Sequence, residues 1–236
     1  MGSPVDPGKT VIRPMLRVRR RNRIDVAVLT HPHPDHFTGL ASALAGVEVG
    51  QFWDTGQGEP MNAGPVYSGL LGMLRDRGVP ILRPPSLCNR PIRMGGAELR
   101  VLAPCPDLTP YASPNDNSLV IHIRYGRHAV LLTGDAEIDE EQRLLRNGPE
   151  RLRADVLKNG HHGSRTSSSE AMLDAVKPRI AILSCGVRNR FGHPHASTLS
   201  ALATRSIWTL RTDRVGAVVW QTDGQSDSIH AVVGIP

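Results

Sequence analysis

The chain has 236 residues, 39% apolar and 21% charged, enough to bury a full core as one α/β domain or two small ones. Only 4% of residues are aromatic, so Val, Leu, Ile and Ala must build that core. No apolar run approaches the ~20 residues a bilayer demands, the start has no secretory-type hydrophobic stretch, and a formal charge of +6 is only a weak pointer to a polyanionic partner.

Residues 1–23 are rich in Pro, Gly and Arg and read as a connector ahead of a domain over 24–236. Within them Arg17, Arg19, Arg20, Arg21 and Arg23 form a basic run. It reads as a solvated helix or linker face that can touch phosphates non-specifically. The β-branched stretch 24–29 predicts a buried strand, and 38–44 a helix stopped near Gly46. Strands follow at 47–53, 79–82 and 97–102, with a helix over 67–77 closed by Gly78. Segments 119–124 and 128–133 flank Tyr125-Gly126-Arg127, a hairpin signal. A helix over 139–146 carries acids at its start and arginines at its end, as the helix dipole favours. Strands at 154–157, 180–184, 207–211, 217–221 and 228–233 alternate with helices at 169–176 and 197–204, which gives a layered α/β fold. Cys88, Cys105 and Cys185 lack metal-type spacing and read as packing thiols, with a Cys88–Cys105 bridge as the alternative.

The first predicted strand ends in His31-Pro32-His33-Pro34-Asp35-His36. Each proline fixes its own φ and biases the residue before it toward extended backbone. Residues i and i+2 of an extended chain share a side, so His31 and His33 can hold one cation. Asp35 and His36 then serve a second, and such ligands suit zinc, manganese or iron. Asp135 follows an apolar strand through Gly134 and can bridge two cations, although an acid at that position is also an ordinary turn residue. Lys158-Asn159-Gly160-His161-His162-Gly163-Ser164 and Gly192-His193-Pro194-His195 are further histidine loops. Asn115-Asp116-Asn117-Ser118 read alone is a turn. His122 and His128 fall inside predicted strands.

In this order the motifs resemble the metallo-β-lactamase superfamily, in its branch of ComEC-type competence hydrolase domains that act in DNA uptake. The resemblance covers nearly the whole chain and implies an α/β (α+β) fold, the four-layer αββα sandwich. It also implies that the first strands of the family fold are lacking, the chain entering at Gly2-Ser3-x-x-Asp6-Pro7-Gly8. The first sheet would then have an open edge through which copies could associate. Carried over residue by residue, His31 and His33 bind one divalent ion, zinc or manganese. Asp35, His36 and His161 bind a second, with Asp135 between the two. The family's usual histidine between the first motif and the bridging acid has no counterpart here.

Two such cations acidify water and neutralise a leaving oxygen, which makes phosphodiester hydrolysis, by analogy of DNA, the leading expectation. Asp35 and Asp135 belong to the catalytic set. His162 or His193 would protonate the leaving group or grip a phosphate, and Lys158, Ser164, Asn117 and His195 are candidate substrate contacts. A small ester, thioester or lactam is the alternative substrate, and a catalytically impaired nucleic-acid-binding module the alternative role. A free-standing protein would be cytoplasmic, and a domain of a membrane competence protein extracytoplasmic.

Overall fold

The arginine-rich stretch assigned to a connector is helical: a π-helical segment, Gly8–Ile12, runs into α1 (Arg13–Val18). What anchors it is Asp6, whose Oδ1 accepts from Gly8 N (2.9 Å) and from Ser42 Oγ (2.6 Å). These bonds hold the Asp6 carboxyl below its ordinary range, the Ser42 bond being the largest cause. Gly8 is buried so tightly that a Cβ there would lie 2.0 Å from the Gly39 carbonyl oxygen. The computed structural model describes residues 5–88 and 90–233, so the Gly2-Ser3 start of the entry motif lies outside the described residues. It divides into two units, Met1–Leu87 and Cys88–Pro236.

In the first unit, β1 (Arg23–Val28), β2 (Glu48–Trp53) and β3 (Ile81–Leu82) form a parallel sheet in the order β1-β2-β3. Parallel neighbours need crossovers. The short α2 (Pro34–Phe37) and α3 (Leu40–Leu44) supply the first, and α4 (Pro65–Asp76) the second. The α4 residues Tyr67, Leu70, Leu71 and Leu74 recur at helical spacing and pack with Leu29, Phe37 and Phe52 in one core cluster. Tyr67 also donates to the buried Asp54 (2.8 Å), which Arg83 joins at 3.1 Å.

The second unit holds a seven-stranded mixed sheet: β4 (Ile92–Met94), β5 (Ala97–Ala103), β6 (Val120–Tyr125), β7 (His128–Leu132), β8 (Val156–Lys158), β9 (Ile180–Leu183) and β10 (Trp208–Arg211) lie side by side. Strands β4 to β7 are antiparallel and β7 to β10 parallel. The change of sense at β7 follows from the connections, a two-residue hairpin before it and helical crossovers after it. Those crossovers are α5 (Ile138–Arg146), α6 (Glu170–Val176) and α7 (Ala196–Thr204). Leu144, Met172, Leu173 and Leu202 pack there against Leu131, Leu157 and Leu183 of the sheet. Past the short α8 (Thr212–Val215), the hairpin of β11 (Val218–Thr222) and β12 (Asp227–Ala231) packs Val218, Trp220 and Ile229 on a second cluster of Val156, Ile180 and Leu210.

Two expectations are corrected. Cys88 and Cys105 are joined in a disulfide rather than packed as thiols, with Cα atoms 5.7 Å apart, well within bridging reach. The acids of α5 do more than face the helix dipole: Glu140 and Glu141 are buried. Glu141 accepts from the backbone N–H groups of Ser168 and Ser169, and Glu140 is paired with Arg143 at 3.0 Å. Burial pushes the Glu140 carboxyl up to about 7 despite that arginine.

An unfolded chain releases the Glu140 proton near 4.5 and the folded one near 7, so in that window the folded state binds more protons and stability falls as pH rises. Glu140→Gln should flatten this slope, read as the difference from wild type in urea midpoints at about pH 5 and about pH 8. Gly8→Ala should cost about 2 kcal/mol through the clash with Gly39, read as a lower melting temperature.

Candidate metal centre

In the first unit the histidine loop begins where β1 ends, and the Leu29 N–H donates to the Trp53 carbonyl oxygen at 2.9 Å, carrying the pairing one residue further. His33 is extended (φ −91°, ψ 145°), as Pro34 after it requires, and Pro34 opens α2. His31 is fully buried while His33 and His36 are half-buried. His31 Nε2 and His33 Nδ1 lie 3.1 Å apart, and the His31 and His36 rings are 4.1 Å apart between centroids. Thr30 Oγ1 meets His31 Nδ1 at 3.2 Å and His36 Nδ1 at 3.3 Å, which orients both rings. Two nitrogens bound tetrahedrally at about 2.0–2.1 Å stand roughly 3.3 Å from each other. The His31–His33 spacing therefore fits a shared cation. The Asp35 Oδ2–His36 Nε2 separation is 3.6 Å.

In the second unit, β7 and β8 run parallel with Leu132 opposite Lys158, so the segments after both strands emerge at one edge. Gly134 takes φ +55°, and the chain turns to Asp135, which is 2% exposed. Its N–H donates to Ser118 Oγ at 3.1 Å. Its carboxylate meets Lys158 Nζ at 3.3 Å through Oδ1 and His162 Nε2 at 3.2 Å through Oδ2. His162 Nδ1 is 2.7 Å from the Ser184 carbonyl oxygen. A carbonyl only accepts, so Nδ1 carries the hydrogen and, in the neutral ring, Nε2 carries the lone pair. A lone pair and a carboxylate oxygen 3.2 Å apart need a proton or a metal cation between them. This is the strongest fit of the donor set to a metal.

His161 and His162 both adopt left-handed backbone, φ 38° and 54°, in a tight turn that sends their side chains to different partners. His161 Nδ1 pairs with Glu137 Oε1 at 2.7 Å, and Thr166 Oγ1 donates to the same oxygen at 2.6 Å. The imidazole facing Asp135 is thus His162, which the sequence reading gave an acid role, while His161, read as a ligand, is turned toward Glu137. The His193 ring lies 5.5 Å from that of His161 and stacks on Phe191 at 5.9 Å. Burial, with the neighbouring His161 and His162, holds His193 below the usual imidazole range.

The predicted substrate contacts fare differently. Asn117 is fully buried with both ends of its amide bonded to the Thr109 backbone, so it pins a loop. The Ser164 hydroxyl is buried against Thr166 at 2.9 Å, and His195 caps α7 by accepting from Ser197 N. Lys158 lies against Asp135. His122 is buried with Nε2 on the Arg153 carbonyl, as its strand position implies. Sequence reasoning missed Glu137, whose partner is 24 residues away and whose neighbours look like an ordinary acidic helix start.

A family model described as the metallo-beta-lactamase superfamily matches residues 4–187. ComE operon protein 3 of Bacillus subtilis is 33% identical over 219 residues, which is 92% of this chain and 27% of that protein. Competence protein ComA of Neisseria gonorrhoeae is 30% identical over 214 residues, 91% of this chain and 28% of that protein. Recombination protein 2 of Haemophilus influenzae is 41% identical over 107 residues, 45% of this chain and 13% of that protein. The chain thus spans only a small part of each of these relatives. Among solved structures, a CmlA beta-hydroxylase variant aligns with a TM-score of 0.52 at 15% identity, covering 80% of this chain and 43% of that one, a likeness of fold alone.

The two histidines of the turn should separate in a zinc competition titration against a chromogenic chelator. His162→Ala, which removes the ring beside Asp135, should weaken zinc by more than about a hundredfold. His161→Ala should stay within the roughly 10–100-fold range of residues that only support a site.

Proposed function

Because the chain belongs to the metallo-β-lactamase superfamily, we propose that it is a metal-dependent hydrolase that cleaves phosphodiesters, with DNA as the polymer. The observation that carries this reading is the Asp135–His162 pair, a buried carboxylate oxygen with an imidazole nitrogen 3.2 Å away. The choice of DNA rests on the motif resemblance to competence hydrolase domains that act in DNA uptake, a competence protein is among the relatives, and the net charge of +6 agrees with it. Among the described residues no helix is long and apolar enough to cross a membrane.

In this reading His31, His33, Asp35 and His36 would offer ligands to divalent metal in the first unit, and Asp135 and His162 would do so in the second. When bound, such ions supply Lewis acidity that acidifies water and neutralises developing negative charge on phosphate oxygens. Lys158 holds the Asp135 carboxylate in place from the side opposite His162. Glu137 accepts the Nδ1 hydrogen of His161, so in the neutral ring Nε2 carries the lone pair and can accept a hydrogen or meet a cation. His193, an uncharged ring near neutral pH, can donate a hydrogen bond to a phosphate oxygen or take up a proton. Asn117, occupied by Thr109, has no substrate role in this account.

Bis(p-nitrophenyl) phosphate and plasmid DNA, each with Mn²⁺ or Zn²⁺, test the proposal. Wild type should hydrolyse the first and nick the second, and Asp135→Ala should fall to the buffer rate on both. Hydrolysis of nitrocefin with neither phosphodiester touched would move the assignment to small amide or ester substrates. DNA binding with no hydrolysis at all would leave a binding module.

A further inference from the structure

The basic run before β1 takes no part in the chemistry above, yet the fold gathers it around a cavity. Arg13, Arg17, Arg20 and Arg21 line a space of about 350 Å³, with Leu16 and Val47 as its apolar part. None of these four guanidiniums is ion-paired among the described residues, whereas Arg23, next along the chain, pairs with both Asp25 and Glu48. Four exposed arginines without an ion pair among the described residues line one concavity with no acid in its lining, and the positive field there is one that an anion would relieve.

The way the helix ends is consistent with this. Arg20 N donates to the Arg17 carbonyl (3.0 Å) and Arg21 N to the Leu16 carbonyl (2.8 Å), the paired bonds of a Schellman stop. The residue in left-handed backbone at such a stop is commonly glycine, and here it is Arg20 at φ 52°. The chain bears that strain and keeps a guanidinium at the cavity where glycine would have closed the helix more easily.

The cavity is also apart from the histidine loop. Arg20 and Arg21 precede β1 and His31 follows it, and a strand of that length separates its ends by about 17 Å. We propose that this arginine cavity is a second binding site, which takes the phosphodiester backbone of a nucleic-acid strand away from the hydrolytic residues. The choice of DNA rests on the function proposed above. The cavity's anion chemistry does not. Guanidinium forks match phosphate oxygens in pairs. The exposed apolar residues of the same helical stretch, Val11, Met15 and Val18, are absent from the cavity lining and lie about half a helical turn round from Arg13, Arg17 and Arg20. A bilayer taking up that stripe would leave the cavity facing away from its headgroups.

The test is fluorescence anisotropy of the full chain with a labelled oligothymidylate in EDTA across a salt series. Phosphatidylserine vesicles serve as the competing anionic surface. Combining Arg13→Ala, Arg17→Ala, Arg20→Gly and Arg21→Ala should weaken binding at low salt by at least about tenfold and reduce the log–log salt slope by about 3. Arg20→Gly alone removes one charge while relaxing its own backbone, so it should fold at least as well as wild type and lower the slope by roughly 0.7. Hydrolysis of bis(p-nitrophenyl) phosphate should be unchanged in both variants. Unchanged DNA affinity and slope overturns the proposal, as does binding to vesicles in preference to the oligonucleotide. Should wild type bind the strand through these arginines but leave the chromogenic phosphodiester intact, the proposed function fails and the cavity assignment stands.

Discussion

A buried carboxylate is expensive unless positive charge comes with it, and the edge of the second unit's sheet is organised by that constraint. Asp135 sits 2% exposed between Lys158 and His162. Lys158 alone would make an ordinary buried ion pair. What sets the site apart is the imidazole nitrogen 3.2 Å from its other oxygen, held there because the Ser184 carbonyl takes the Nδ1 hydrogen. A protein that only needed a folded strand end would not spend a buried acid, a lysine and a strained histidine turn on it. A protein that needs to hold a cation would.

The surroundings serve to keep that arrangement rigid. The loop from Gly160 to Ser169 is held from α5, where Glu137 grips His161 and Thr166, and Glu141 takes the N–H groups of Ser168 and Ser169. Ser167 Oγ closes the loop on itself by donating to the Gly160 carbonyl at 2.8 Å. In the first unit the same job falls to backbone stiffness: two prolines, an extended His33 and one threonine hydroxyl shared by two rings. Both halves fit a general pattern in which functional loops leave the ends of strands whose core packing is finished elsewhere.

Much of this was legible in the sequence, for identifiable reasons. The strands at β1, β2 and β5 to β9 announce themselves as short β-branched or apolar runs, and the proline-locked histidine loop has few structural uses other than ligation. What stayed hidden depends on long-range pairing. The three-residue β4 is too short to show periodicity, and it exists because β5 offers it an edge. The pairing of Cys88 with Cys105 needs the chain to bring them together, and spacing alone leaves it open. Glu140 and Glu141 look like solvated helix-start acids until the fold buries both, with Arg143 beside Glu140 and loop N–H groups over Glu141. The choice between His161 and His162 turns on which carboxylate each ring meets, and two adjacent identical residues carry no sequence signal for that.

Whether Asp135 and an imidazole nitrogen share a cation is read by X-ray absorption on the zinc-loaded protein. Expected is a first shell of nitrogen and oxygen at about 2.0–2.1 Å with imidazole outer-shell scattering, lost or rearranged in Asp135→Ala. A zinc environment without imidazole, or one that Asp135→Ala leaves untouched, would contradict it.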